Sequence, residues 1–182
     1  VNRGFTYWNG KLYRGTSDVH VIALDAQTGK QVWDRELDIK GPGVSLPMAP
    51  IAFDGLIYIG NAGGDIATVT GHVYALNAKD GTPKWKYSPE IPADVQATTC
   101  CGLDNRGVAH ARGRLFLGRL DGYLVSLDAA TGKELWKTQV IDYHEGAAIT
   151  SPPIIVKNLV ITGYAGGEYG IRGAITAYDQ DT

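Results

Sequence analysis

The segment ALDAQTGKQVW, Ala23 to Trp33, returns as ALNAKDGTPKW from Ala75 to Trp85 and as SLDAATGKELW from Ser126 to Trp136. Its opening residues return once more as AYDQDT from Ala177. The marker positions Asp25, Asn77, Asp128 and Asp179 stand 52, 51 and 51 residues apart. A fixed period of this length means stacked supersecondary units rather than one irregular core. The runs between markers alternate as strands do, and none keeps a helical period. The chain therefore reads as all-β, a β-propeller of four-stranded blades with Trp-docking motifs, about four of which fit in 182 residues.

The punctuation agrees. Short runs rich in Val, Ile, Leu and Tyr, such as His20–Leu24, Leu56–Gly60, Arg114–Gly118 and Leu159–Gly163, predict strands. Asn9-Gly10, Asp54-Gly55, Asp80-Gly81 and Asp121-Gly122 predict turns, because these residue types tolerate positive φ. Within the repeat, the Asp accepts hydrogen bonds from the turn amides, Thr-Gly reverses the chain, and Trp starts the outer strand. Its ring can pack between blades while its N–H finds an acceptor. Thr28–Lys30 and Thr131–Lys133 spell T-G-K but lack the preceding glycine of a phosphate loop, and they recur with the repeat.

A longer repeat overlies the short one. Asn2-Arg3-Gly4 aligns with Asn105-Arg106-Gly107 at an offset of 103, as do Gly15 with Gly118, Asp18 with Asp121, and Ala62–Asp65 with Ala165–Glu168. This divides the chain into two blades over 1–85, a connector over 86–103, and two more blades over 104–182. The connector carries both cysteines, Cys100 and Cys101. Adjacent Cα atoms lie about 3.8 Å apart, closer than most disulfides permit, so a bridge here is strained. On their own residues the pair reads either as such a bridge or as two free thiols.

Cys100-Cys101, Asn105-Arg106-Gly107, the Trp motif, Gly166-Gly167-Glu168 and Gly170-x-Arg172-Gly173, in this order, resemble the quinoprotein alcohol dehydrogenases. These oxidise methanol or ethanol with pyrroloquinoline quinone (PQQ). The resemblance is close over residues 85–182 and covers 1–85 as repeats of the same blade type. It implies an eight-bladed propeller, of which four blades are half. It also implies a Cys100–Cys101 disulfide under one face of the quinone, cofactor contacts from Arg106 and Thr150, and close backbone approach at Gly166 and Gly167. Glu168 stands where the family binds its catalytic metal, Ca²⁺ or a lanthanide.

Each residue type suits that role. A guanidinium pairs with the carboxylates of PQQ, glycine turns expose amide donors to anions, and a hard cation takes carboxylate oxygen. On the residues alone, Arg106 also reads as a surface cation, Glu168 as a loop carboxylate and Thr150 as an ordinary strand residue. The first copy departs from the pattern: it has no cysteines, with Asp65 for the Glu and Thr70 for Arg172. The family's catalytic base, metal-binding Asn and stacking Trp belong to later blades, so no catalytic residue is identified within this chain, which alone is expected to be inactive.

Net charge is -2 with no basic block, which gives no footprint for nucleic acid. No apolar run is long enough to span a bilayer. His20, His72, His110 and His144 lack metal-ligand spacing and read as structural or surface residues; Asp142–Glu145 reads as a solvated loop. Two function classes follow. One is part of a PQQ- and metal-dependent alcohol dehydrogenase that passes electrons from a small primary alcohol to cytochrome c. The other is a non-enzymatic PQQ-repeat scaffold of the outer-membrane assembly type. An oxidised cysteine pair implies a periplasmic address, and the rest of the propeller or a second chain is expected to close the fold.

Overall fold

The computed structural model describes residues 3–39, 41–63, 71–99 and 105–181. It forms antiparallel sheets in strict chain order. The first contains β1 (Thr6–Trp8), β2 (Lys11–Gly15), β3 (His20–Asp25) and β4 (Gln31–Glu36). The second contains β5 (Ile51–Phe53), β6 (Leu56–Gly60), β7 (Val73–Asn77) and β8 (Pro83–Tyr87). The third contains β9 (Ala109–Ala111), β10 (Arg114–Gly118), β11 (Tyr123–Asp128) and β12 (Glu134–Gln139). A fourth, of three strands, contains β13 (Ile154–Val156), β14 (Leu159–Gly163) and β15 (Ile175–Asp179). These are blades of the propeller type that the period predicts. The chain divides into two compact units, Val1–Pro89 and Glu90–Thr182, with two sheets in each.

One hydrogen-bond template explains the repeat. Asp25 Oδ1 accepts from the Thr28 amide and hydroxyl at 2.7 Å each, and Asp128 Oδ1 from Thr131 at 2.8 and 2.7 Å. Those hydroxyls hold both carboxyls below their usual range. The residue after the marker ties the turn to the blade's first hairpin: Ala26 N–H donates to Gly10 O, Ala78 to Gly55 and Ala129 to Gly113, all at 2.8–2.9 Å. A β-bulge recurs at Ala23/Leu24, Ala75/Leu76 and Ser126/Leu127, giving the outer strand its extra residue.

The tryptophans join sheets within each unit. Trp33 Nε1 donates to Ala78 O at 3.1 Å, and Trp136 Nε1 to Gln180 O at 3.0 Å. Gly81, at φ 72°, lies so close under Trp33 that a Cβ there would sit 2.7 Å from the ring. The motif glycine therefore turns the chain and also seats the indole of the preceding blade. Trp occupies the third position of β4, β8 and β12 rather than the first, because pairing already begins two residues earlier, at Gln31, Pro83 and Glu134 opposite Leu24, Leu76 and Leu127.

The 103-residue repeat is visible as matched contacts. Ser45 bridges Ala62 in the first unit, and Ala148 bridges Ala165 in the second. Gly15 and Gly118 close the second strands, where Leu46 and Ile149 press too close for any side chain. In the first unit Tyr13, Leu46, Ile57, Ile59 and Leu76 form the buried core. In the second, Phe116, Leu124 and Val160 form one cluster and Val95, Leu120 and Ala148 another. Among the described residues no helix is long and apolar enough to cross a membrane.

Candidate functional site

The Asn105-Arg106-Gly107 turn precedes β9, and its own side chains build it. Asn105 Nδ2 donates to Gly118 O at 2.5 Å, at the end of β10, and Asn105 Oδ1 accepts from the Gly107 amide at 2.9 Å. Gly107 takes φ 137°, a conformation that favours glycine. Arg106 is then held against the loop after β12: its amide donates to Thr150 O at 2.9 Å, and Nη1 donates to Thr150 Oγ1 at 2.9 Å. The guanidinium stays exposed.

A second loop, between β14 and β15, carries the glycine turn. Ala148 and Ala165 exchange backbone bonds at 3.0 and 2.9 Å, which places Thr150 two residues from this bridge and Gly166 one residue from it. Gly166 is buried at φ 148°, where a Cβ would strike Gly146 O and Ile171. Gly167 opens a short 3-10 turn, Gly167–Tyr169, and a Cβ on it would meet nothing. Glu168, exposed in that turn, makes no hydrogen bond or ion pair among the described residues. The structure thus strings Arg106, Thr150, Gly166, Gly167 and Glu168 along one stitched pair of loops. Cys100 and Cys101 lie outside the described residues, as do Asp65 and Thr70 of the first copy.

The first copy has the frame without the chemistry. Arg3 N–H donates to Pro47 O at 2.7 Å, the counterpart of Arg106 on Thr150, but Pro47 has no hydroxyl to offer.

Sequence reasoning missed how the connector is anchored. Its 3-10 turn, Ala93–Thr98, buries Val95 against Leu120 and Ala148. Arg119 forks onto Asp121 (3.0 and 2.5 Å) and donates to Glu90 O at 2.7 Å, with both charged side chains nearly buried. Tyr143 Oη donates to Asp94 Oδ1 at 3.0 Å. The Arg-x-Asp spacing was the available signal, since Thr16 and Asp18 stand at the same positions in the first copy.

The Asp142–Glu145 loop folds locally. Asp142 accepts from the His144 amide and meets the His144 ring at 2.7 Å, which raises the imidazole's pKa. Both side chains are largely exposed. Burial lowers the pKa of His72 and of His110. No cluster of three metal-ligating side chains occurs among the described residues.

Comparison with known proteins gives the family. The profile of a family described as outer membrane protein assembly factor BamB matches residues 1–182. A lanthanide-dependent methanol dehydrogenase of Methylacidiphilum fumariolicum is 46% identical over 113 residues, 61% of this chain and 18% of its own length. A 1-butanol dehydrogenase (cytochrome c) of Thauera butanivorans is 39% identical over 149 residues, 81% of this chain and 20% of its own. The chain therefore spans about a fifth of the length of these relatives. A europium-containing methanol dehydrogenase superposes with TM-score 0.66 at 37% identity, over 76% of this chain and 23% of that one. BamB from Moraxella catarrhalis superposes with TM-score 0.68 over 94% of this chain and 46% of its own, but at 19% identity that likeness shows the fold alone. With its whole length inside one PQQ-repeat profile and long stretches shared with alcohol-oxidising quinoproteins, the chain belongs to the PQQ-dependent quinoprotein alcohol dehydrogenase family.

Proposed function

We propose that this chain supplies one wall of the cofactor site of a PQQ- and metal-dependent alcohol dehydrogenase. The observation that carries the reading is the double attachment of Arg106 to Thr150, present in the second copy and lost in the first, where Pro47 stands. An exposed guanidinium, a hydroxyl, an open glycine backbone and an exposed carboxylate suit a polycarboxylate cofactor and a hard cation. Arg106 and Thr150 would hold a carboxylate of PQQ. Gly166 and Gly167 would let the backbone approach it, and Glu168 would ligate Ca²⁺ or a lanthanide. Cys100 and Cys101, as a disulfide, would form the floor.

When bound, the quinone supplies a hydride acceptor whose carbonyl the metal polarises. This chain's residues bind and orient; the proton-accepting base, the alcohol pocket and the contact with cytochrome c would come from further blades. The parent protein would work in the periplasm on a small primary alcohol, while residues 1–182 alone would not turn over.

A scaffold reading is favoured by the description of the matching family. Titration of the chain with PQQ in Ca²⁺ or La³⁺, followed by absorbance, separates the two. A saturable quinone shift that is lost in Arg106→Ala supports the enzyme reading, and no shift with either ion overturns it. Intact mass with and without reductant tests the disulfide separately, through a change of two hydrogens.

A further inference from the structure

Three consecutive residues, Gly118, Arg119 and Leu120, each hold a different segment of the candidate site. Gly118 O accepts Asn105 Nδ2, the bond that builds the turn carrying Arg106. Leu120 packs on Val95 of the connector and on Ala148, two residues before Thr150. Between them, Arg119 donates from Nη2 to Glu90 O at 2.7 Å, near the start of the connector. The fork of Arg119 onto Asp121, at 3.0 and 2.5 Å, closes the corner on itself, with the guanidinium 5.8 Å from the Tyr123 ring centre. Main-chain bonds tighten it: Arg119 N–H donates to Tyr123 O at 2.7 Å, and Gly122 N–H to Arg119 O at 3.1 Å.

The Arg119 and Asp121 side chains keep only 10% and 6% of their surface. A charge pair taken this far out of water returns little net stability; what it offers instead is a fixed geometry. The first copy lacks it. Thr16 stands in place of Arg119, and its hydroxyl donates to His20 O at 3.1 Å, inside its own hairpin. Pro47 likewise takes the place of Thr150. The clasped corner and the hydroxyl that aims the guanidinium thus occur together in one copy and are both missing from the other.

We propose that Arg119 is a positioning residue for the candidate cofactor wall: clasped to Asp121 and Glu90 O, it fixes the corner from which the Arg106 turn and the Ala148–Thr150 segment are hung. This rests on the reading of the wall as a PQQ site and adds to it a residue that touches no ligand. Without the clasp the corner loosens, Val95 lifts from Ala148, and Arg106 loses its fixed direction while the sheets stay paired.

Two variants test it: Arg119→Lys, which keeps a charge beside Asp121 but loses the planar fork, and Arg119→Gln/Asp121→Asn, which removes both charges. The first readout is amide hydrogen exchange. Arg106 N–H on Thr150 O and Ala148 N–H on Ala165 O should exchange about tenfold faster, with the amides of the paired strand residues Leu115 and Leu127 within about twofold. The second is the PQQ absorbance titration in Ca²⁺, in which the dissociation constant should rise several-fold in both variants. Equal acceleration at all these amides, no acceleration at Arg106 and Ala148, or an unchanged dissociation constant overturns the proposal. So does loss of the fold in both variants, since the pair would then hold the sheet rather than the wall. An unsubstituted chain that gives no quinone shift overturns the reading of the site and this assignment with it. Exchange needs no cofactor, so it tells the two failures apart.

Discussion

Arg106 is bonded to Thr150 at two levels, amide to carbonyl and guanidinium to hydroxyl, each at 2.9 Å. The backbone bond fixes the loop; the side-chain bond aims the cation. Thr150→Val removes only the second. Because the group is exposed, the melting temperature should stay nearly constant. The affinity for PQQ should fall several-fold, about 1 kcal/mol for one aiming hydrogen bond. An unchanged titration curve would take Thr150 out of the binding wall.

Gly81 and Gly29 share a backbone conformation and differ in what lies above them. Gly29→Ala should cost about 1 kcal/mol, from positive φ alone. Gly81→Ala should cost about 2–4 kcal/mol, because its methyl also displaces Trp33. Urea denaturation of the two variants side by side reads the difference, and equal costs would deny the seat.

Asp128 has its pKa held down by the Thr131 hydroxyl. A lowered folded-state value means the contribution to stability is complete above the ordinary carboxylate pKa. It is lost as pH falls through the lowered one. Asp128→Asn should therefore flatten the acid limb of stability against pH below about 4. The natural counterpart is Asn77, which accepts from the Lys79 amide at 2.8 Å without titrating.

His20 runs the opposite way. Its Nδ1 meets Asp34 Oδ1 at 2.6 Å, and that hydrogen bond raises the imidazole's pKa. The stabilisation is present below the ordinary histidine value and is lost as pH rises through the raised one. Proton NMR titration should show the His20 pKa returning toward its ordinary value in Asp34→Asn.

Val19 adopts φ 63° at the position that Gly122 occupies in the third sheet. A β-branched residue is strained there. Val19→Gly relieves that strain but removes a half-buried side chain packed on the first unit's core, so stability should fall by only about 1 kcal/mol, less than an unstrained valine loses there. The reverse change, Gly122→Val, should unfold the second unit, because even a Cβ would collide with Ile141 O. Circular dichroism melts separate these outcomes.

The fold was legible because its period is written in residues with strong local meaning: Asp and Thr in the turn, Gly at positive φ, Trp after the bulge. The first strands β1, β5 and β9 were not foreseen, since three residues are too few to show alternation. The second role of Gly81 was hidden because its partner is 48 positions upstream, and spacing does not report a ring lying on a backbone. At the candidate site the residue types were readable. The anchoring was not: Asn105 on Gly118, Arg119 on Glu90 and the Ala148–Ala165 bridge join segments that only folding brings together. The absent hydroxyl at Pro47 became meaningful once Arg3 was seen to copy Arg106.

Two of the four indoles wait for a carbonyl that is made later. Trp33 closes on Ala78, 45 positions downstream, and Trp136 on Gln180, 44 downstream. On the ribosome, a sheet can zip up soon after it emerges, yet it must idle unfastened until nearly a whole further period has been translated. Maturation of such a chain is therefore vectorial, with every fastening one step behind synthesis, and the most recently made sheet is always the one exposed to misassembly.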